Sequence, residues 1–276
     1  MDVRLYMFWI TVGAVVVLLA EVFAGRHRGA YKRKGEIPLL VIGMTLGRFA
    51  IGPLASVAIA ALWARLFPAY RGTLAGVPLW IAIPAVLLYA EFFFYWVHRW
   101  AHTTSKSKSL LWMLHRTHHS AAYMNVAVWM RLNLWWYVVI PNAWTMSLAI
   151  YFGLGEAAGI ATALIAVWNV VTHSNFRWDD PIRRHRVFGR LFRGLEHILI
   201  SPGLHHTHHG FGRDGASYRN FGVMLAVWDW AFGTLHIPDG RPYRYGLPGH
   251  DVHWAEELLY PLVRIKGNTS RDKVAT

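Results

Sequence analysis

The segment at residues 91–102, "EFFFYWVHRWAH", joins the end of a long apolar run to a pair of histidines. The run covers residues 77–97 with Glu91 as its single charged residue, and it is long enough to cross a bilayer as a helix. His98 and His102 are four positions apart, so a helix that continues past the run places both imidazoles on one face. The segment therefore predicts a membrane-spanning helix that ends in metal-ligating side chains.

The composition of the whole chain favours the same class of protein. Of the 276 residues, 55% are hydrophobic and 16% are charged, whereas about a quarter are charged in a typical soluble domain. The absence of cysteine excludes disulfides and thiolate metal sites. The net charge of +13 fits a basic surface that faces anionic lipid, and no zinc-finger spacing or basic DNA-reading helix is present, so no nucleic-acid partner is expected.

Apolar segments elsewhere predict further spans. Residues 38–67 exceed one simple helix and contain Arg48 and Pro53, so we expect 38–48 to lie at the membrane interface, 49–67 to cross, and Arg48 to snorkel. A kink is expected at Pro141, and the short turn "GLGE" (153–156) predicts that residues 132–172 form a transmembrane hairpin. The five apolar segments are 5–25, 38–67, 77–97, 132–152 and 157–172.

Lysine and arginine in the loops predict the orientation. Residues 26–36 carry five of them, the loop at 68–76 carries only Arg71, and the chain after residue 173 is rich in arginine. By the positive-inside rule, the N-terminus faces outward, and residues 26–36, 98–128 and 173–276 face the cytoplasm.

The predicted fold is an all-α integral membrane protein with four to five transmembrane helices and a cytoplasmic helical cap that holds a dimetal site. The chain is predicted to be one domain over residues 1–276, with N-terminal spans in 1–97 and the cap in 98–128 and 173–276. The expected location is a bacterial cytoplasmic membrane, or the endoplasmic reticulum if the source is eukaryotic.

Two HxxHH motifs and one isolated histidine add to the HxxxH pair. The motifs lie in "LHRTHHS" (114–120) and "SPGLHHTHHG" (201–210), and all of these histidines fall on the predicted cytoplasmic side. Nine neutral imidazoles suit two ions with four or five nitrogen ligands each, and imidazole binds iron, zinc, copper and nickel. His197 is an additional candidate ligand, whereas His206 lies off the motif spacing. The nine candidates are His98, His102, His115, His118, His119, His173, His205, His208 and His209.

Two acidic residues are candidates for orienting these ligands. Glu91 lies seven residues before His98, on the same helical face, and an acid inside an apolar span is costly without a partner. Asp229 in "VWDWAFGT" (227–234) is the second candidate, although helix capping or turn formation would explain it equally well.

These motifs and their flanks resemble the fatty acid hydroxylase / sterol desaturase superfamily of integral-membrane di-iron oxygenases. The similar blocks are "EFFFYWVHRWAH", "LWMLHRTHHS", "ISPGLHHTHHG" and "RNFGVMLAVWDWAFGT", within residues 88–236, and Glu91 stands where the family more often has aspartate. The resemblance implies that the nine histidines bind two non-haem irons, for which zinc can substitute in a purified protein. It also implies O2-dependent attack on a C–H bond of a lipid, with electrons from a ferredoxin, a cytochrome b5-like protein or a reductase.

Several alternatives stay open. Hydroxylation of a fatty acyl, sterol or related lipid, desaturation, and cleavage of an ether lipid all fit the same scaffold. A metal transporter would require ionisable residues in the middle of several spans, whereas the histidines of this chain cluster on one predicted side of the membrane. A bis-histidine haem protein would require histidine pairs that face each other across helices.

Overall fold

The structure, a computed structural model, describes residues 3–26 and 30–265, with backbone alone for residues 3–7. Parts of the predicted domain and of the basic loop at 26–36 therefore lie outside the described residues, at 1–2, 27–29 and 266–276. The described chain is mostly helical, and it has one two-stranded antiparallel sheet, formed by β1 (Gly210–Phe211) and β2 (Arg244–Tyr245).

The helices vary from four to twenty-five residues. They are α1 (Val3–Phe23), α2 (Glu36–Ile42), α3 (Gly52–Leu66), α4 (Leu79–Thr103), α5 (Leu110–His119), α6 (Val126–Met130), α7 (Trp136–Val139), α8 (Pro141–Tyr151), α9 (Gly155–His173), α10 (Asp179–Arg184), α11 (Phe188–Leu195), α12 (Pro202–His209), α13 (Val227–Ala231) and α14 (Trp254–Leu259).

Three helical segments within the described residues are long and apolar enough to cross a membrane. They are Glu36–Leu66, Leu79–Thr103 and Gly155–His173, and the described part of α1, Phe8–Phe23, is a shorter apolar helix. The prediction of a mostly helical protein with apolar helices long enough to cross a membrane is confirmed. The number of four to five spans stays a prediction.

Residues 38–48, for which an interfacial position stays a prediction, are helical in the structure. The chain runs from α2 into α3 through a π-helical stretch, Gly43–Ile51, as one continuous segment. Two glycines allow this path, because a Cβ at Gly47 would overlap the Tyr137 ring and one at Gly43 would crowd Leu132 O. Arg48 lies in this stretch with its guanidinium stacked 4.1 Å from the Trp129 ring centroid.

Pro141 causes a full break where a kink was predicted. It begins α8 at a position where a backbone N–H is not needed, so residues 132–152 form two helices, α7 and α8, and not one span. The turn at residues 152–154 then reverses the chain, and α8 packs on α9 as the predicted hairpin. The loop before α4 meets this turn, since Gly72 and Leu74 donate backbone hydrogen bonds to Tyr151 and Phe152.

Small side chains hold α4, α8 and α9 close together. The core between them contains Ala82, Ala90, Ala157, Ala158 and Ala161, and such residues allow helix backbones to approach closely in a membrane. Because α4 and α9 run in the same direction away from the 152–154 turn, their C-terminal histidines arrive at the same end of the bundle.

Candidate metal centre

Four helices bring the predicted histidines together. His98 and His102 occupy the last turns of α4, and His173 is the last residue of α9. The other two helices each begin at a serine N-cap. Ser109 precedes α5 and accepts a hydrogen bond from Trp112 N, and Ser201 precedes α12 and accepts one from Leu204 N. The HxxHH motifs therefore lie on short helices whose N-termini are stabilised by serine caps.

The nine predicted ligands form two neighbouring groups, each with its ligating atoms within 4.8 Å of one another. The five-histidine group is defined as His98, His102, His115, His119 and His208, and the four-histidine group as His118, His173, His205 and His209. The groups are adjacent, because the His119 and His209 rings stack with their centroids 4.3 Å apart.

Backbone carbonyls determine which nitrogen of four of these rings carries the proton. The Nδ1–H groups of His98 and His208 donate to Phe221 O at 2.6 Å and to Arg219 O at 2.7 Å. In the four-histidine group, the Nδ1–H groups of His118 and His173 donate to Val128 O at 3.1 Å and to Asn169 O at 2.8 Å. A carbonyl only accepts, so Nε2 of each of these neutral rings is left with a bare lone pair.

These lone pairs face one another. Nε2 of His98 lies 3.1 Å from Nε2 of His208, and Nε2 of His173 lies 3.3 Å from Nε2 of His118. Two bare lone pairs at this distance repel each other and form no hydrogen bond. A cation placed between them converts that repulsion into coordination.

The spacing of the nitrogens fits a metal ion. Further Nε2···Nε2 separations are 3.1 Å for His102 and His119, 2.9 Å for His119 and His115, and 3.0 Å for His205 and His173. Two nitrogens at about 2.1 Å from one ion and at a right angle are about 3 Å apart. The donor set is nitrogen alone, which suits iron, zinc, copper or nickel.

Burial keeps these imidazoles neutral. It lowers the pKa of His115, His119, His205 and His209 well below the ordinary value, and repulsion between neighbouring imidazoles lowers it further. All four side chains are less than 6% exposed. At neutral pH their ring nitrogens are therefore available to a metal.

Aromatic side chains pack around the two groups. The ring centroid of Trp136 lies 4.6 Å from that of His115, Phe94 lies 5.2 Å from His98, and Trp112 lies 5.3 Å from His102. This shell excludes water from the faces of the rings. Trp136, within the aromatic stretch at residues 133–139, is 2% exposed and contacts the site directly.

Glu91 contacts the backbone of one loop beside the site. Its Oε2 accepts hydrogen bonds from the backbone N–H groups of Val223, Met224 and Leu225 at 2.9–3.2 Å. This loop begins at Phe221, whose carbonyl accepts from His98. Glu91 therefore forms no direct hydrogen bond with His98, the imidazole that it was predicted to orient, and the two side chains are connected through this loop.

Asp229 holds the start of the same loop. Its Oδ1 accepts from Phe221 N at 2.8 Å and from Thr234 Oγ1 at 2.7 Å, and its Oδ2 accepts from Gly222 N at 2.7 Å. Burial raises the pKa of Asp229, and these donors oppose that rise. The two acids together fix the carbonyl that orients His98.

The structure places His197 and His206 outside both groups. Nδ1–H of His197 donates to Arg193 O at 2.8 Å, and the ring packs against Trp230. His206 is fully buried, with Nδ1 at 3.3 Å from the Tyr245 hydroxyl oxygen.

A buried charge network beneath α5 was not predicted from the sequence. Arg131 is fully buried and forms ion pairs with Glu36 at 2.7 Å and Glu257 at 3.0 Å. It also donates to Thr117 O and to Ser120 Oγ, which lie within and just after the ligand helix. An arginine in the apolar run "VAVWMRLNLWW" (126–136) was the available signal.

Glu21, the one acid in the apolar segment 5–25, was also not predicted as a structural residue. It is fully buried, and its carboxylate accepts from Val126 N at 3.1 Å and from Asn175 N. It therefore joins α1 to the start of α6 and to the chain that follows His173.

Comparisons with known proteins identify relatives of this chain. The chain is 29% identical over 170 residues to an alkylglycerol monooxygenase of Danio rerio, covering 60% of this chain and 34% of that protein. It is 28% identical over 174 residues to the alkylglycerol monooxygenase of Homo sapiens, covering 63% and 34%. The chain thus spans about a third of the length of these relatives, and no solved structure matches it.

Residues 83–234, more than half of the chain, match the family described as fatty acid hydroxylase. The matched region contains every one of the nine histidines, and the resemblance seen in the sequence is confirmed. This chain belongs to the fatty acid hydroxylase family.

Proposed function

We propose that the protein is a membrane-bound non-haem di-iron oxygenase that hydroxylates an unactivated C–H bond of a lipid. The observation that carries this proposal is the convergence of bare imidazole lone pairs into two groups at the ends of α4 and α9. The overall reaction consumes the C–H bond, O2, two electrons and two protons, and it yields the alcohol and water.

Iron is proposed because the donors are neutral nitrogens and the family is one of oxygenases. When bound, a pair of irons supplies the redox chemistry that activates O2. The ligands would be the five-histidine group for one ion and the four-histidine group for the other. Zinc binds similar nitrogen sets and would be expected as a substitute in a purified protein.

The position of the site supports a lipid substrate. His98, His102 and His173 end two helices that are apolar enough to cross a membrane, which supports a position of the groups where those helices would leave the apolar layer. The aromatic shell of Phe94, Trp112 and Trp136 gives an apolar surface beside the ligands. An acyl or alkyl chain in the bilayer can reach this level without entering water.

The electrons are proposed to come from a separate ferredoxin, cytochrome b5-like protein or reductase. The 276 residues contain no cysteine to hold an iron–sulfur cluster. The loops rich in lysine and arginine support a cytoplasmic position for the site, in a bacterial cytoplasmic membrane or in the endoplasmic reticulum of a eukaryote.

Cleavage of an ether lipid is the second candidate, since the relatives reported above are alkylglycerol monooxygenases. Hydroxylation of the carbon next to an ether oxygen gives a hemiacetal, which separates into an aldehyde and an alcohol. Desaturation would instead remove two hydrogens and leave no oxygen in the lipid.

The test is lipid analysis of membranes that contain the protein, an electron donor and 18O2. Hydroxylation puts 18O into a lipid alcohol, ether cleavage puts it into an aldehyde, and desaturation leaves the lipid unlabelled. The matched variants are His208→Ala, in the five-histidine group, and His236→Ala, an exposed histidine outside both groups. We expect the first to abolish labelling and the second to retain it. Full labelling by His208→Ala would contradict the proposal.

A further inference from the structure

The segment at residues 183–198, "RRHRVFGRLFRGLEHI", forms α11 and its flanks and exposes an unusual amount of apolar surface. The relative exposure is 59% for Phe188, 67% for Leu191 and 44% for Leu195, which lie on one face of α11. Val187 before the helix is 62% exposed and Ile198 after it is 50% exposed. These five residues are called the apolar ridge.

An open groove lies beside the apolar ridge, between α10 and α11. It has a volume of about 580 Å³, and its apolar walls include Pro181, Ile182 and Phe192. Exposed apolar surface of this kind marks a site of contact with another apolar phase.

Ion pairs hold the opposite side of this helical hairpin in place. Arg183 pairs with Glu196, and Arg241 pairs with Asp180 at 2.9 Å. Gly189 packs closely on the Arg183 carbonyl, where a Cβ would clash. These contacts fix the orientation of α11, so the helix cannot rotate to bury the apolar ridge against the rest of the protein.

Exposed aromatic side chains connect the apolar ridge to the surface of α4. Trp96 on α4 is 41% exposed, and its ring centroid lies 4.8 Å from that of Phe232. Trp230 is 60% exposed and packs 5.2 Å from the ring of His197, which adjoins Ile198. The surface that surrounds a candidate membrane span therefore continues across α13 onto the apolar ridge.

Arginines border the apolar ridge on its polar side. Arg184, Arg186 and Arg190 are exposed, and none of them forms an ion pair with another residue in the described part of the chain. Arg190 lies on α11 itself, Arg184 ends α10, and Arg186 lies in the turn between the two helices. An amphipathic helix with arginines beside its apolar face is typical of one that lies in the interface of an anionic membrane. Arginines near such a surface attract anionic headgroups.

We propose that α11 lies in the interface of the leaflet that surrounds the histidine ends of α4 and α9, and that it binds anionic phospholipid there. Acyl chains occupy the groove and cover the apolar ridge, while the three arginines contact headgroup phosphates. This goes beyond the proposed function, because it gives a membrane-binding role to a segment that holds no ligand of either group.

The absence of cysteine allows a direct test with single-cysteine variants. A spin label is attached at Leu191→Cys, on the apolar ridge, or at Arg190→Cys, about 100° away around α11, and at Arg213→Cys, whose side chain is 85% exposed, as the control. The full chain is placed in vesicles of phosphatidylcholine, with or without phosphatidylglycerol. Collision with oxygen and with a water-soluble nickel reagent is then measured at each label.

We expect the label at Leu191→Cys to be reached by oxygen and shielded from nickel, and those at Arg190→Cys and Arg213→Cys to be reached by nickel. Phosphatidylglycerol should move the label at Leu191→Cys deeper into the bilayer. The added changes Arg184→Gln, Arg186→Gln and Arg190→Gln should remove that effect. Equal nickel access at Leu191→Cys and Arg213→Cys would overturn the proposal, as would spin–spin broadening from a second copy of the chain. Equal depth in both lipids would overturn the assignment of the arginines. The metal content of each variant separates a failure here from a failure of the metal sites.

Discussion

Replacing Asp229 by asparagine tests whether the two buried acids determine the position of the Phe221 carbonyl. Both oxygens of Asp229 accept from backbone N–H groups, Oδ1 from Phe221 and Oδ2 from Gly222. Either orientation of an asparagine amide points its NH2 group at one of these donors. Glu91 accepts with Oε2 alone, so Glu91→Gln can keep an oxygen in that place and serves as the matched comparison.

The magnitudes follow from the number of bonds. In Asp229→Asn, one buried N–H loses its acceptor, at a cost of about 1–3 kcal/mol, and two bonds lose their charge assistance, at about 1 kcal/mol each. The expected loss of unfolding free energy is therefore about 3–5 kcal/mol, or roughly 10 °C in Tm. Glu91→Gln weakens three bonds but leaves none unmade, which gives about 3 kcal/mol at most.

Asp229→Asn should also change metal binding near His98. Displacement of the Phe221 carbonyl frees Nδ1 of His98, and loss of such a partner typically lowers metal affinity by about tenfold to a hundredfold. We expect Asp229→Asn to weaken metal binding at the five-histidine group and to spare the four-histidine group. Thermal unfolding and titration with a chelator measure the two effects, with Glu156→Ala, an exposed acid at the far end of α9, as the control. Equal stability and equal metal retention in Asp229→Asn and Glu91→Gln would refute this account.

Three further outcomes follow from the site and from the network beneath it. His208→Ala should remove one metal ion and His205→Ala the other, which metal analysis of each purified variant will show. Arg131→Met leaves Glu36 buried without its arginine and removes one of the two arginines that pair with Glu257, and it should cost about 3–5 kcal/mol of unfolding free energy. Arg33→Met replaces a side chain that is 30% exposed and should cost much less; thermal unfolding compares the two. Burial raises the pKa of Glu257, but the hydrogen bond with His250 and the Arg131 and Arg33 charges outweigh burial and hold it at about 2, below the ordinary 4.5. Its contribution, about 3 kcal/mol, is therefore present above pH 4.5 and lost as the pH falls towards 2. Unfolding measured against pH should show this loss in the parent protein and not in Glu257→Gln.

The local spacing of the histidines predicted the site, but not how the ligands divide between two ions. His118 and His119 are neighbours on α5, about 100° apart around the helix, and they belong to different groups. His208 and His209 on α12 divide in the same way. The i, i+3 and i+4 pattern identifies a face rich in imidazole, whereas the division depends on how α4, α5, α9 and α12 pack.

Contacts between distant parts of the chain explain what the sequence did not reveal. The π-helical stretch depends on Gly47 meeting Tyr137, and the charge network joins Glu36, Arg131 and Glu257 across more than 200 residues. The carbonyls that orient His98 and His208 belong to Phe221 and Arg219, and a backbone acceptor leaves no trace in residue identity. A charged residue in an apolar run is evident from the sequence alone, so Glu91 could be predicted as a residue of the site although its backbone partners could not.

The most direct test of the central claim is the metal content and ligand shell of the purified full chain after loading with iron. X-ray absorption and metal analysis should find two irons per chain, with nitrogen ligands from histidine at about 2.1 Å. The double variant His205→Ala and His208→Ala should lose both irons. Two irons retained in that variant, or a parent protein that binds no more than one, would contradict the two-group metal centre.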